Sequence, residues 1–123
     1  MMKSLIVLAL TLSAASSFAL TKKLNCNNGS NSDLGLQIEF SADSYLVSKF
    51  TLTNIGASLR VEKVVTSQNP VERGVGFVYA TAEDGTSLSI PVAVLTTGAG
   101  AVVVNGFNDT KQFEGEYNCS LAK

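Results

Sequence analysis

Leu34-Gly35-Leu36-Gln37-Ile38-Glu39-Phe40-Ser41 places a large apolar side chain at every second position. Successive side chains of an extended chain point to opposite faces, so Leu34, Leu36, Ile38 and Phe40 share one face. The stretch reads as a strand with one buried face, and the remainder of the chain repeats the pattern. Ala42-Asp43-Ser44 is a turn, and Tyr45 to Thr53 follows with Leu46, Phe50 and Leu52 on one side. Asn54-Ile55-Gly56-Ala57 turns into Ser58 to Thr66, where Leu59, Val61 and Val65 share a face. Ser67 to Gly74 is the longest polar connection. Val75 to Ala82 is expected to bring Val75, Phe77 and Tyr79 together. Glu83-Asp84-Gly85-Thr86 carries the Asp-Gly hairpin signal. Ser87 to Thr97 then alternates through Leu88, Ile90, Val92 and Val94, and Gly98-Ala99-Gly100 turns it into Ala101 to Phe107. After Asn108-Asp109-Thr110, Lys111 to Leu121 is the last strand, with Phe113, Tyr117, Cys119 and Leu121 on one face. The first strand, about Thr21 to Cys26, carries Leu24 and Cys26 on one face.

Eight strands at this spacing define an all-β chain, a barrel or a sandwich. The connections are short, so sequence neighbours are expected to pair antiparallel. In an up-and-down array of eight, the first and last strands run in opposite directions and can pair, removing the sheet edges. Cys26 and Cys119 fall on the apolar faces of those two strands. A disulfide between them is expected to fasten the closing seam. The ring it closes spans about 94 residues, for which chain entropy gives roughly 4–5 kcal/mol. Pro91 stands against this, because proline inside a strand belongs at an edge or a bulge. The expected fold is therefore a small eight-stranded up-and-down barrel with a bulge at Pro91, the alternative being an open β-sandwich. Phe40, Phe50, Phe77, Tyr79, Phe113 and Tyr117 are the candidates to fill the interior.

Residues 1–19 have the form of a secretory signal peptide. Lys3 precedes the apolar run Leu5-Ile6-Val7-Leu8-Ala9-Leu10-Thr11-Leu12, and Ser17-Phe18-Ala19 supplies the small residues of a cleavage site. The run is shorter than the roughly 20 residues that span a bilayer. Residues 20–123 are then expected to form one domain, secreted or periplasmic, in a compartment where two cysteines pair. After removal of Lys3, eight basic residues face ten acidic ones. That balance is no footprint for nucleic acid. Charged residues in mid-strand, Lys49, Arg60, Glu62, Glu114 and Glu116, argue against a lipid-facing barrel, so no membrane span is expected after cleavage.

There is no histidine in the chain. That excludes Ser-His-Asp and Cys-His catalysis and removes the commonest zinc ligand. Glu114 and Glu116 share a strand face with Gln112 and Asn118, which reads as a solvated face rather than a carboxylate pair for glycoside hydrolysis. Asn25, Asn27, Asn28, Ser30, Asn31, Ser32 and Asp33 offer oxygen ligands but lack EF-hand spacing. Gly74-Val75-Gly76 and Gly98-Ala99-Gly100 precede no helix pattern and give no phosphate site. Asn28, Asn108 and Asn118 open N-x-S/T acceptor patterns. No catalytic, cofactor or metal site is expected.

Two segments are candidate binding surfaces. Val71, Glu72 and Arg73 lie in the longest loop, where binding function concentrates. The hairpin Pro91 to Phe107 is expected to pair Leu95 with Val103 and to set Pro91 near Phe107, leaving both faces apolar; an exposed apolar face marks an interaction site. The expected product is an exported, disulfide-bonded, non-enzymatic protein-binding module, an inhibitor of a secreted or envelope enzyme being one form of it. Its partner would be another secreted or envelope protein, or a second copy of itself. The alternatives are a carrier of a small apolar ligand in the barrel and a structural envelope protein. In size, export and strand content the chain is similar to the C-type lysozyme inhibitors, which are small disulfide-bonded β-barrels. It lacks the Ser-Gly-x-x-Tyr stretch associated with that family, so no residue role is carried over.

Overall fold

The computed structural model describes residues 21–67 and 76–122. Eight strands account for most of them: β1 (Thr21–Asn28), β2 (Leu34–Ser41), β3 (Val47–Asn54), β4 (Leu59–Thr66), β5 (Phe77–Ala82), β6 (Ser87–Pro91), β7 (Ala99–Asn105) and β8 (Gly115–Leu121). They form a closed barrel in sequence order, and every pairing is antiparallel. The open sandwich is not formed.

β8 closes on β1 in the register Leu24↔Leu121, Cys26↔Cys119 and Asn28↔Tyr117. Cys26 and Cys119 are directly opposed, both face inward, and they are joined by a disulfide with their Cα atoms 4.0 Å apart. The bond lies on the seam that removes the sheet edges.

Pro91 is accommodated without a bulge. The β6–β7 ladder runs only from Ser87↔Asn105 to Ser89↔Val103, so Pro91 lies beyond it and loses no hydrogen bond on that side. Its other neighbour is Phe77 on β5. The chain then leaves the sheet as a short helix, α1 (Val92–Thr97), where an extension of the strand was expected. Val94 and Leu95 are both buried. A strand would send these consecutive side chains to opposite faces, whereas a helical turn lets both lean over the barrel mouth. The Val92 N–H donates to Gly76 O at 2.9 Å, and Gly98, left-handed at φ 82°, ends the helix with its N–H on Val94 O. The expected hairpin pairing of Leu95 with Val103 therefore does not exist.

The bulge lies instead between β2 and β3. Glu39 pairs with Lys49 but Phe40 pairs with Val47, so Ser48 is the extra residue. This shifts the inward position from Leu46, which is exposed, to Val47, which is buried. At the far mouth, a 3₁₀ turn (Asn108–Phe113) replaces the expected start of the last strand. It inserts Phe113 and Thr110 under the barrel end.

The interior is filled by side chains from all eight strands. Leu24, Ile38, Phe50, Leu52, Ala80, Leu88, Ile90, Val102, Val104 and Tyr117 have no solvent contact. One expectation is reversed here. Phe77 and Tyr79 face outward, and β5 contributes Val78, Ala80 and Ala82 instead. An eight-stranded barrel has room inside for little more than its own side chains. With Phe40, Phe50, Phe113 and Tyr117 already inside, small residues on β5 complete the packing.

Candidate functional site

The outer surface divides by chemistry. On β1–β4 the outward side chains are mostly polar, Val64 on β4 being the large apolar exception, and several are tied together. Gln37 Nε2 donates to Asn25 Oδ1 at 2.9 Å. Lys49 Nζ bridges Glu39 at 3.2 Å and Glu62 at 3.0 Å, and Arg60 meets Glu62 at 3.5 Å. The hydrogen bond from Lys49 holds the Glu62 carboxyl below the usual carboxylate value, with Coulomb attraction adding to it; the same bond, with that to Glu39, raises Lys49. These groups lie at the surface, partly or fully exposed, so the network orders side chains more than it stabilises the fold.

On β5–β7 the outward face carries an exposed apolar cluster among small polar residues. Phe77 and Tyr79, two positions apart on β5, share that face and stack with centroids 6.3 Å apart and planes inclined by 18°. They are 46% and 62% exposed. Phe77 lies opposite Pro91, and Tyr79 opposite Ser89, whose partner on β7 is Val103. The ladder thus sets Phe77, Tyr79, Pro91 and Val103 on one continuous outer face. Ser89 lies between Tyr79 and Val103, and its Oγ accepts from Asn105 Nδ2 at 3.3 Å.

The residues expected to form a hairpin surface are separated. Pro91 and Val103 are on this face. Leu95 is only 4% exposed, being packed into the barrel mouth. Phe107 is half exposed but lies past the far end of β7, its ring against Gly85 of the β5–β6 turn. Pro91 and Phe107 are therefore at opposite ends of the barrel. Val71, Glu72 and Arg73 lie outside the described residues, as do residues 1–19.

Size favours Phe77 and Tyr79 for the interior, since they are the largest apolar groups of their segment. A subtler signal points the other way. The frame Val78-Ala80-Ala82 remains apolar up to the hairpin, whereas the aromatic frame ends at Thr81.

The other candidate clusters have structural occupations. Asn28 Oδ1 accepts the N–H groups of Ser30 and Asn31, and Asn31 Oδ1 accepts that of Asp33, so these oxygens shape the β1–β2 turn. Glu114 pairs with Lys111 at 3.3 Å, and Glu116 stands exposed on β8 opposite Val103. Gly98 caps α1, and Gly100 packs against the Val94 side chain. Among the described residues, no helix is long and apolar enough to cross a membrane. The disulfide is compatible with an oxidising environment.

No protein-family model, curated protein or solved structure matches this chain.

Proposed function

We propose that this is an exported, non-enzymatic binding module that engages a secreted or envelope protein through the outer face of β5–β7. The observation that carries the reading is the stacked, solvent-exposed pair Phe77–Tyr79 beside Pro91 and Val103. Aromatic side chains dominate protein interfaces because each contributes large, rigid apolar area at low entropic cost. The filled interior supports an external site over an internal one. Val94 and Leu95 lean into one mouth, and Thr110 and Phe113 into the other. The apolar n-terminal run of residues 5–12 and the disulfide support export to the periplasm or the medium.

The test is capture from envelope or culture extract with the oxidised mature protein. A parallel bait carries Tyr79→Ser and Val103→Ser, both outward positions that leave the core intact. A partner retained by the first bait and lost by the second is the expected result. Equal capture by both baits would remove the β5–β7 face as the site.

A further inference from the structure

We propose that the opposite side of the barrel, the outer face of β1–β4, carries a binding groove for a neutral saccharide. The groove has a volume of about 390 Å³ and is walled by Asn25, Asn27, Gln37, Thr51, Thr53 and Arg60. That size lies at the lower end of the roughly 300–1,000 Å³ typical of small-ligand sites. It exists because Gly35, the second residue of β2, stands between Asn27 on β1 and Thr53 on β3. A Cβ at Gly35 would sit 2.7 Å from Thr53 Oγ1, so glycine both lowers the floor and admits the neighbouring hydroxyl.

Thr51 supplies the groove with a hydroxyl at its base. It is an outward-facing residue, paired with Gln37 and Glu62, yet only 5% exposed. Its hydroxyl makes no hydrogen bond to any described residue, and it keeps its access through the groove that Thr51 lines. A hydroxyl so placed bonds whatever fills the groove, water or a ligand hydroxyl in its place.

The chemistry of the walls selects the class. Amides and hydroxyls present donors and acceptors side by side, which suits ligand hydroxyls that are both at once. The Gln37–Asn25 bond leaves the Gln37 carbonyl to accept and the Asn25 amide to donate. Arg60 is already offset by Glu62, so the site is not built around an anion. No large apolar side chain faces outward here, because Leu36 and Cys26 point into the barrel. That disfavours a lipid tail or an apolar peptide anchor.

The test is a backbone-amide NMR titration of the oxidised mature protein with cellobiose, maltose and chitobiose, and with digalacturonate as the charged arm. The expected result is saturable shifts at Asn25, Gly35, Gln37, Thr51 and Thr53 with at least one neutral disaccharide. Thr51→Val, which keeps the shape and removes the hydroxyl, should weaken that binding about 3- to 10-fold, the worth of one hydrogen bond. Gly35→Val should abolish it by filling the floor; if that variant does not fold, Thr51→Val decides alone. No response to any neutral sugar, a response to digalacturonate only, or affinity unchanged in Thr51→Val would each overturn the proposal. Shifts confined to Phe77 and Tyr79 would overturn it as well, without touching the β1–β4 fold or the reading of the β5–β7 face as a protein contact.

Discussion

Tyr117 shows how one polar group is carried into an apolar barrel. Its ring has no solvent contact, and its hydroxyl donates to the Phe113 carbonyl at 2.7 Å. Replacing it with Phe strands that carbonyl, so Tyr117→Phe should cost about 1–3 kcal/mol in a urea titration. Burial raises the phenol above its ordinary 10.0. A raised acid keeps its proton longer in the folded state, so its contribution is complete below pH 10 and is lost as pH rises through the higher folded value. The stability gap between native protein and Tyr117→Phe should therefore shrink above pH 10. Asp84 behaves in the opposite sense. The Thr86 backbone N–H and then Lys63, at 2.9 Å, hold its carboxyl below 3.8. Its contribution is present above 3.8 and is lost as pH falls through the lower folded value. Asp84→Asn should be less stable than the native protein at neutral pH and equal to it in strong acid, read from denaturation midpoints. Thr86 and Thr110 form a second buried polar pair. Thr110 Oγ1 donates to the Phe107 carbonyl and accepts from the Phe107 N–H, which leaves the Thr86 hydroxyl to donate to it.

At the scale of elements, α1 is where sequence pattern and structure part. Val92-Ala93-Val94-Leu95-Thr96-Thr97 is rich in β-branched residues and continues the alternation of β6, so it reads as strand. Local preference is overruled because Val94 and Leu95 together close a mouth that no strand could close. The difference separates two substitutions that a hairpin would have made equivalent. Leu95→Asp buries a charge in the barrel mouth and should prevent folding, whereas Val103→Asp, at 39% exposure and opposite Glu116, should lower the thermal midpoint only slightly. Comparable losses from both would restore the hairpin. Gly98 tests the same element. Its left-handed φ of 82° is costly for any residue with a Cβ, and that Cβ would lie 2.6 Å from the Leu121 side chain. Gly98→Ala should destabilise by about 2 kcal/mol, since the left-handed region alone costs roughly 1–2. The alternation predicts the inward residues of β1 and β2, where one frame is plainly polar, and Tyr117 and Cys119 of β8, though Leu121 at its end is exposed. It is reversed on β5, where both frames are largely apolar and the volume left inside the barrel favours the smaller one.

For the whole molecule, the Cys26–Cys119 bond ties residues 93 apart in sequence into one rung of the β1–β8 ladder. Cys26→Ala/Cys119→Ala should lose about 2–5 kcal/mol, measured as a fall in the urea midpoint, because the open chain regains the entropy of a long loop. The same closure gives the barrel two outer sides of different chemistry, an amide-and-hydroxyl side on β1–β4 and an aromatic side on β5–β7. The sequence by itself determined the class, the strand order and the cysteine seam. These follow from period-two alternation, short connections and the parity of eight, all of which are local or countable. Only the tertiary structure decided which face of β5 enters the core, that residues 92–97 leave the sheet as a plug, and that Thr51 is enclosed between Gln37 and Glu62. Each of those depends on volume contributed by strands distant in sequence, and volume is a property of the closed barrel rather than of any segment within it.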